Sequence, residues 1–120
     1  MAAGVYDLVL EKGTDIDVTF NWGTGTNPFV PNNVTGYTAR MQWRVTADAV
    51  AILAEFTTAN GKLVVDGPAG KFTLVVSATE SAGWGFTEAV YDLEIIAPGP
   101  PTKVKRLLKG TVTIDPEVTR

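Results

Sequence analysis

The sequence predicts an all-β fold: an antiparallel, immunoglobulin-like β-sandwich of about eight short strands. Three observations predict it. Apolar and polar residues alternate without a fault at 15–22 and 37–45. Turn-forming Gly, Pro, Asn and Asp clusters recur about every dozen residues, and helical periodicity is nearly absent. A closed barrel or a jelly roll uses the same ingredients.

The first strand spans Tyr6 to Lys12 and ends at the turn signal Lys12-Gly13-Thr14-Asp15. In the second, 15–22, Ile16, Val18, Phe20 and Trp22 face inward while Asp15, Asp17, Thr19 and Asn21 face out. One wet face is the mark of an antiparallel sheet. Residues 23–35 crowd Gly23, Gly25, Asn27, Pro28, Pro31, Asn32 and Asn33 into a long loop that also carries Phe29. The third strand, Tyr37 to Val45, turns Ala39, Met41, Trp43 and Val45 inward and Thr38, Arg40, Gln42 and Arg44 outward.

Alanines 47, 49, 51 and 54 favour helix over 49–57, but Val50, Ile52 and Phe56 favour strand. The segment is read as strand because Thr58-Ala59-Asn60-Gly61 supplies a hairpin turn directly after it. Leu63–Val65 and Lys71–Val76 follow, separated by Asp66-Gly67-Pro68-Ala69-Gly70. Ser77-Ala78-Thr79-Glu80 fits a capping box for at most one helical turn before Gly83. Strand resumes at Phe86 or Ala89 and runs to Ile96 with Tyr91, Leu93 and Ile95 on one face. A Pro/Gly turn at 97–101 leads to a final strand or strand pair, Val104 to Ile114, and 118–120 is a frayed tail.

The 120 residues suit one domain, 1–120, burying roughly two thirds of the unfolded chain's surface. Cysteine and histidine are both missing, which removes disulfides, thiolate metal sites and the commonest general base and nitrogen ligand. Ser77 and Ser81 are the only serines and form no Ser-x-x-Lys spacing. Asp15 and Asp17 stand about 7 Å apart on one strand face, which reads as solvated surface before it reads as a glycosidase pair or a calcium site. Gly23-Thr24-Gly25 and Gly67-Pro68-Ala69-Gly70 lack the lysine and helix of a phosphate loop. Asn33-Val34-Thr35 matches a glycosylation acceptor. The expectation is therefore no enzyme, no cofactor and no metal.

A net charge of −3 argues against a nucleic-acid partner. The one basic cluster, Lys103, Lys105, Arg106 and Lys109, reads as an edge strand guarded by lysine. No apolar run reaches the ~20 residues of a membrane span, and Met1-Ala2-Ala3-Gly4 does not open a secretory signal, so synthesis in a cytosol is expected. Trp22 and Trp43 read as core. Trp84, between Gly83 and Gly85 and followed by Phe86, either contacts a partner or plugs the open end of the sandwich. Candidate interface residues are thus Trp84, Phe86, Phe29, Lys103 and Lys105.

Several local patterns carry a likeness: Leu8-Val9-Leu10 with Lys12-Gly13-Thr14-Asp15-Ile16, and Val34-Thr35-Gly36-Tyr37-Thr38-Ala39-Arg40-Met41-Gln42. Tyr91-Asp92-Leu93-Glu94, Arg106-Leu107-Leu108-Lys109-Gly110-Thr111-Val112 and Pro116-Glu117-Val118-Thr119-Arg120 continue it. Together they resemble small β-sandwich virion proteins of tailed bacteriophages, in particular the N-terminal domain of upper baseplate, receptor-binding-protein attachment proteins. The resemblance spans nearly the whole chain and lacks the fiber- or receptor-linked region of larger members. It implies a docking module in the tail, baseplate or spike-attachment region of a virion, made in a bacterial cytoplasm. Its partners would be other virion proteins and further copies of itself, met in part by strand addition at exposed edges. A capsid decoration protein is the nearest alternative. From another class, a carbohydrate- or surface-ligand-binding module would use Trp84, Phe86 and the 23–35 loop.

Overall fold

A computed structural model describes residues 4–25, 27–116 and 118. The first predicted strand, Tyr6 to Lys12, contracts to β2 (Leu8–Glu11), and an unpredicted short strand, β1 (Gly4–Val5), precedes it with Tyr6-Asp7 between them. Then come β3 (Ile16–Asn21), β4 (Gly23–Thr24), β5 (Val30–Pro31), β6 (Thr38–Arg44), β7 (Ala54–Thr57), β8 (Leu63–Asp66) and β9 (Lys71–Val76). One helical turn, α1 (Ala78–Ala82), precedes β10 (Glu88–Ala97) and β11 (Lys103–Asp115). The tail residues Thr119 and Arg120, like Met1 to Ala3, lie outside the described residues.

Two sheets face each other. One has the order β1-β11-β10-β6-β7, with β2 continuing the β1 edge along β11, and the other has the order β3-β9-β8. The inward halves of the alternating strands meet in one apolar cluster, in which Trp43, Phe56, Phe72, Leu74 and Leu93 are fully buried. The immunoglobulin-like sandwich is therefore the fold. Its sheets are not wholly antiparallel: β1 and β2 run parallel to β11, pairing Gly4 with Leu108 and Leu8 with Val112. Side-chain alternation reports which face is buried and carries no information on strand direction.

Other expectations need correction. The strand over 49–57 contracts to Ala54–Thr57, because the Arg44 guanidinium holds the carbonyls of Ala49 (2.8 Å) and Val50 (2.7 Å) in a loop. Val50 is thereby left 94% exposed. Val45 points outward and not inward, since β6 ends at Arg44 and nothing pairs the next residue. The 58–61 turn closes no hairpin. It carries the chain from β7 in one sheet to β8 in the other, with Asn60 Oδ1 accepting from the amides of Thr57 and Lys62. The last segment is one long strand, and the loop at 23–35 contains the small β4–β5 hairpin. Trp22 is only partly buried, packed on Tyr37 at the rim of the core.

Only the N-cap half of the capping box forms: Glu80 N donates to Ser77 Oγ at 3.2 Å, while the Glu80 carboxylate pairs with Lys62 Nζ at 2.9 Å. Asp15 reaches across from the start of β3 and accepts from Ala78 N at 2.7 Å. Ser81, fully buried, accepts from Gly13 N and donates to Thr14 O, so α1 is fastened to the turn that leads from β2 to β3. Both serines therefore hold structure.

Candidate functional site

The residues singled out in the sequence scatter. Trp84 is 6% exposed and stacks edge-on against Trp43, with centroids 5.0 Å apart. It closes the end of the core, so the partner-contact reading does not hold for this side chain, nor can it offer a ring to a sugar. Phe86, partly buried, packs on both tryptophans at 6.0 and 5.8 Å. The physical reason is area: an indole next to an unfilled sandwich end gains more by covering Trp43 than by standing in water.

Phe29 stays 44% exposed on the 23–35 loop, over a depression shared with Asn21, Pro31, Ala69 and Lys71. That loop is tied down at its base: Trp22 N donates to Gly70 O, Asn32 N to Trp22 O, and Val34 N to Gly67 O. Gly70 sits at φ +63° where a Cβ would stand 2.6 Å from the carbonyl oxygens of both Asn32 and Trp22, which is why glycine is needed there. Lys103 and the half-buried Lys105 lie at the far end of β11. β11 is not an edge strand over 108–113, where β10 and the β1/β2 column flank it. Among the described residues, 103–106 pair with β10 alone, and Leu107 falls at a bulge in that pairing.

What the fold assembles instead is the outer face of the five-column sheet. Its residues are the outward halves of four alternating strands: Arg106 and Lys109 on β11, Asp92 and Glu94 on β10, Arg40, Gln42 and Arg44 on β6, and Glu55 on β7. They line a groove of about 1020 Å³ walled by Val5 and Asp7 at one side and Thr46 and Ala47 at the other. The polar heads hold one another. Arg40 Nε meets Glu94 Oε1 at 2.6 Å, Arg106 Nε meets Asp92 Oδ2 at 3.2 Å, and Gln42 Nε2 donates to Glu55 Oε2 at 2.7 Å. Arg44 Nη2 adds a bond to Gln42 Oε1 at 2.8 Å. Alternation exposed the β6 members of this set in the sequence. The β10 and β11 members could have been found by matching acidic outward positions of one strand against basic ones of the next.

At one wall of the groove the Tyr91 hydroxyl donates to Tyr6 O at 2.5 Å, and Asp7 Oδ1 accepts from Thr111 N at 3.0 Å. Burial, then the neighbouring Asp7 carboxylate and Tyr6, push the Tyr91 phenol up from 10.0 to about 12. The folded state thus holds this proton more tightly than the unfolded chain does. Its contribution to stability is complete below pH 10 and is lost as pH rises towards 12. Ultraviolet titration should show one tyrosinate forming only near pH 12. Tyr91→Phe should delete that step and lower stability by about 1 kcal/mol at neutral pH, through the lost bond to the Tyr6 carbonyl.

Among the described residues, no three Asp or Glu side chains gather into a metal-sized cluster. No protein-family model and no curated protein matches the chain. Solved structures do. One matching chain comes from a structure described as "Structural basis of T cell specificity and activation by the bacterial superantigen toxic shock syndrome toxin-1". The two are 11% identical, the match covers 91% of this chain and 92% of that one, and the TM-score is 0.50. At that identity the likeness speaks for the sandwich fold alone.

Proposed function

We propose that this chain is a non-catalytic docking module of a bacteriophage virion, placed in the tail, baseplate or spike-attachment region. The sequence resemblance over residues 8–16, 34–42, 91–94 and 106–112 supplies the phage assignment. The observation that supports docking is the charged sheet face, whose long side chains are already held in place by cross-strand partners. A pre-ordered polar face loses little rotamer freedom on contact, and that is what a module working through its surface requires. Such a module binds neighbours in many copies and performs no bond chemistry.

The test is composition of particles. Quantitative mass spectrometry of gradient-purified virions of the phage encoding this chain should find it at a fixed stoichiometry, and in isolated tails rather than heads. Recovery with heads would favour the capsid decoration reading. Its absence from intact particles would refute both.

A further inference from the structure

We infer that the groove-bearing outer face of the larger sheet is an isologous interface between two copies of this chain, with the two-fold axis parallel to the strands and midway between β10 and β6. This inference stands independently of the virion assignment, since it concerns the purified chain.

The charges on this face are arranged by column. β11 presents Arg106 and Lys109, β10 presents Asp92 and Glu94, β6 presents Arg40 and Arg44, and β7 presents Glu55. The sign therefore runs basic, acidic, basic, acidic across the sheet, and the pattern inverts about its own midline. A second copy turned over about a strand-parallel axis sets β10 against β6 of the other copy and β11 against its β7. Rows are preserved by that operation.

The register then dictates the facing pairs. Glu94 shares a row with Arg40, so each Glu94 faces Arg40 of the second copy. Asp92, Lys109, Gln42 and Glu55 share the next row, so Lys109 faces Glu55 and Asp92 faces Gln42. No like charges oppose. An axis perpendicular to the strands gives the reverse result, placing β11 on β11 and β10 on β10, cation on cation and carboxylate on carboxylate. Charge complementarity thus selects one of the two in-plane axes.

Re-pairing costs little. The side chains of Arg40 and Arg106 are 53% and 55% exposed, and ion pairs at such exposure contribute little on their own. Around the proposed axis Arg40, Glu94 and their mates would close into a ring of four charges, which gains from being a network. Four strands about 4.8 Å apart give a footprint at the small end of specific interfaces. The dimer should accordingly be weak, with Kd in the micromolar range, and sensitive to salt.

Sedimentation velocity across about 10 µM to 1 mM protein should show a monomer–dimer equilibrium, weakened about tenfold between low and high ionic strength. Glu94→Arg and Arg40→Glu should each be monomeric alone, yet form a heterodimer when mixed, because every facing pair becomes opposite again. Circular dichroism checks that both variants stay folded. Should either fail to fold, Lys109→Glu with Glu55→Lys provides a second complementary pair. The proposal is overturned if the wild type stays monomeric throughout, if the single variants dimerise as the wild type does, or if mixing restores nothing.

Discussion

Replacing Trp43 by alanine is expected to remove about 3–5 kcal/mol of stability, the largest loss for any single side chain in this protein. Trp43 is 0% exposed near the C-terminal end of β6 and contacts three aromatic rings, with centroids 4.8 Å from Phe56, 5.0 Å from Trp84 and 6.0 Å from Phe86. Its indole N–H has a soft partner in Met41 Sδ at 3.2 Å. Truncation would leave a cavity that no neighbour can fill, because Trp84 and Phe86 are held where α1 ends and β10 begins. Domains of this size are stable by roughly 5–15 kcal/mol, so the variant should sit near the edge of folding. Urea denaturation followed by far-ultraviolet circular dichroism measures this without depending on tryptophan emission. Trp84→Ala, at the rim of the same cluster, should cost less. A loss below about 1 kcal/mol for Trp43→Ala would contradict the aromatic core described here.

Gly110→Ala should produce the second large effect, by a different route. A Cβ at this position would overlap the Tyr6 carbonyl oxygen and stand 2.8 Å from the Tyr6 carbonyl carbon, both of them backbone atoms. Three bonds converge there: Tyr6 N to Lys109 O at 2.9 Å, the Tyr91 hydroxyl to Tyr6 O, and Thr111 N to Asp7 Oδ1. The N-terminal edge must move away, and these bonds go with it. The expected loss is about 2–4 kcal/mol, from several hydrogen bonds and the exposure of Leu8 and Leu10. Hydrogen exchange should show 4–11 unprotected while β3 and β9 keep their protection. Uniform protection in the variant would mean that glycine is dispensable at 110.

Strands with one wet face were legible in the sequence because the pleat imposes a period of two, and 15–22 and 37–45 obey it almost throughout. The identity of each strand's partner was not. Nothing in Leu8-Val9-Leu10 states that it lies parallel to Val112–Ile114, since register and direction are settled by tertiary packing. The 49–53 stretch misled because its alanines and β-branched residues carry opposing local preferences, and a single guanidinium decides between them. Trp84 was ambiguous for a related reason: its flanking glycines describe a turn and cannot say which way the indole swings. The charged face lay half in view, as outward positions on β6. Its other half required the cross-strand rows, which only the fold supplies.

The pairing of β1 and β2 with β11 bears on the time course of folding. Gly4 meets Leu108, roughly a hundred residues along the chain. At the ordinary pace of synthesis Leu8 and Leu10 wait on the order of 10 s before their partner strand exists. Once made, β10 lacks its outer neighbour until β11 follows, and an unpaired edge stands open to other nascent chains. Closing so long a loop places the chain among slow, high-contact-order folders. Refolding should therefore gather β3, β9 and β8 early, and the joining of the two distant segments should be the last event to acquire protection.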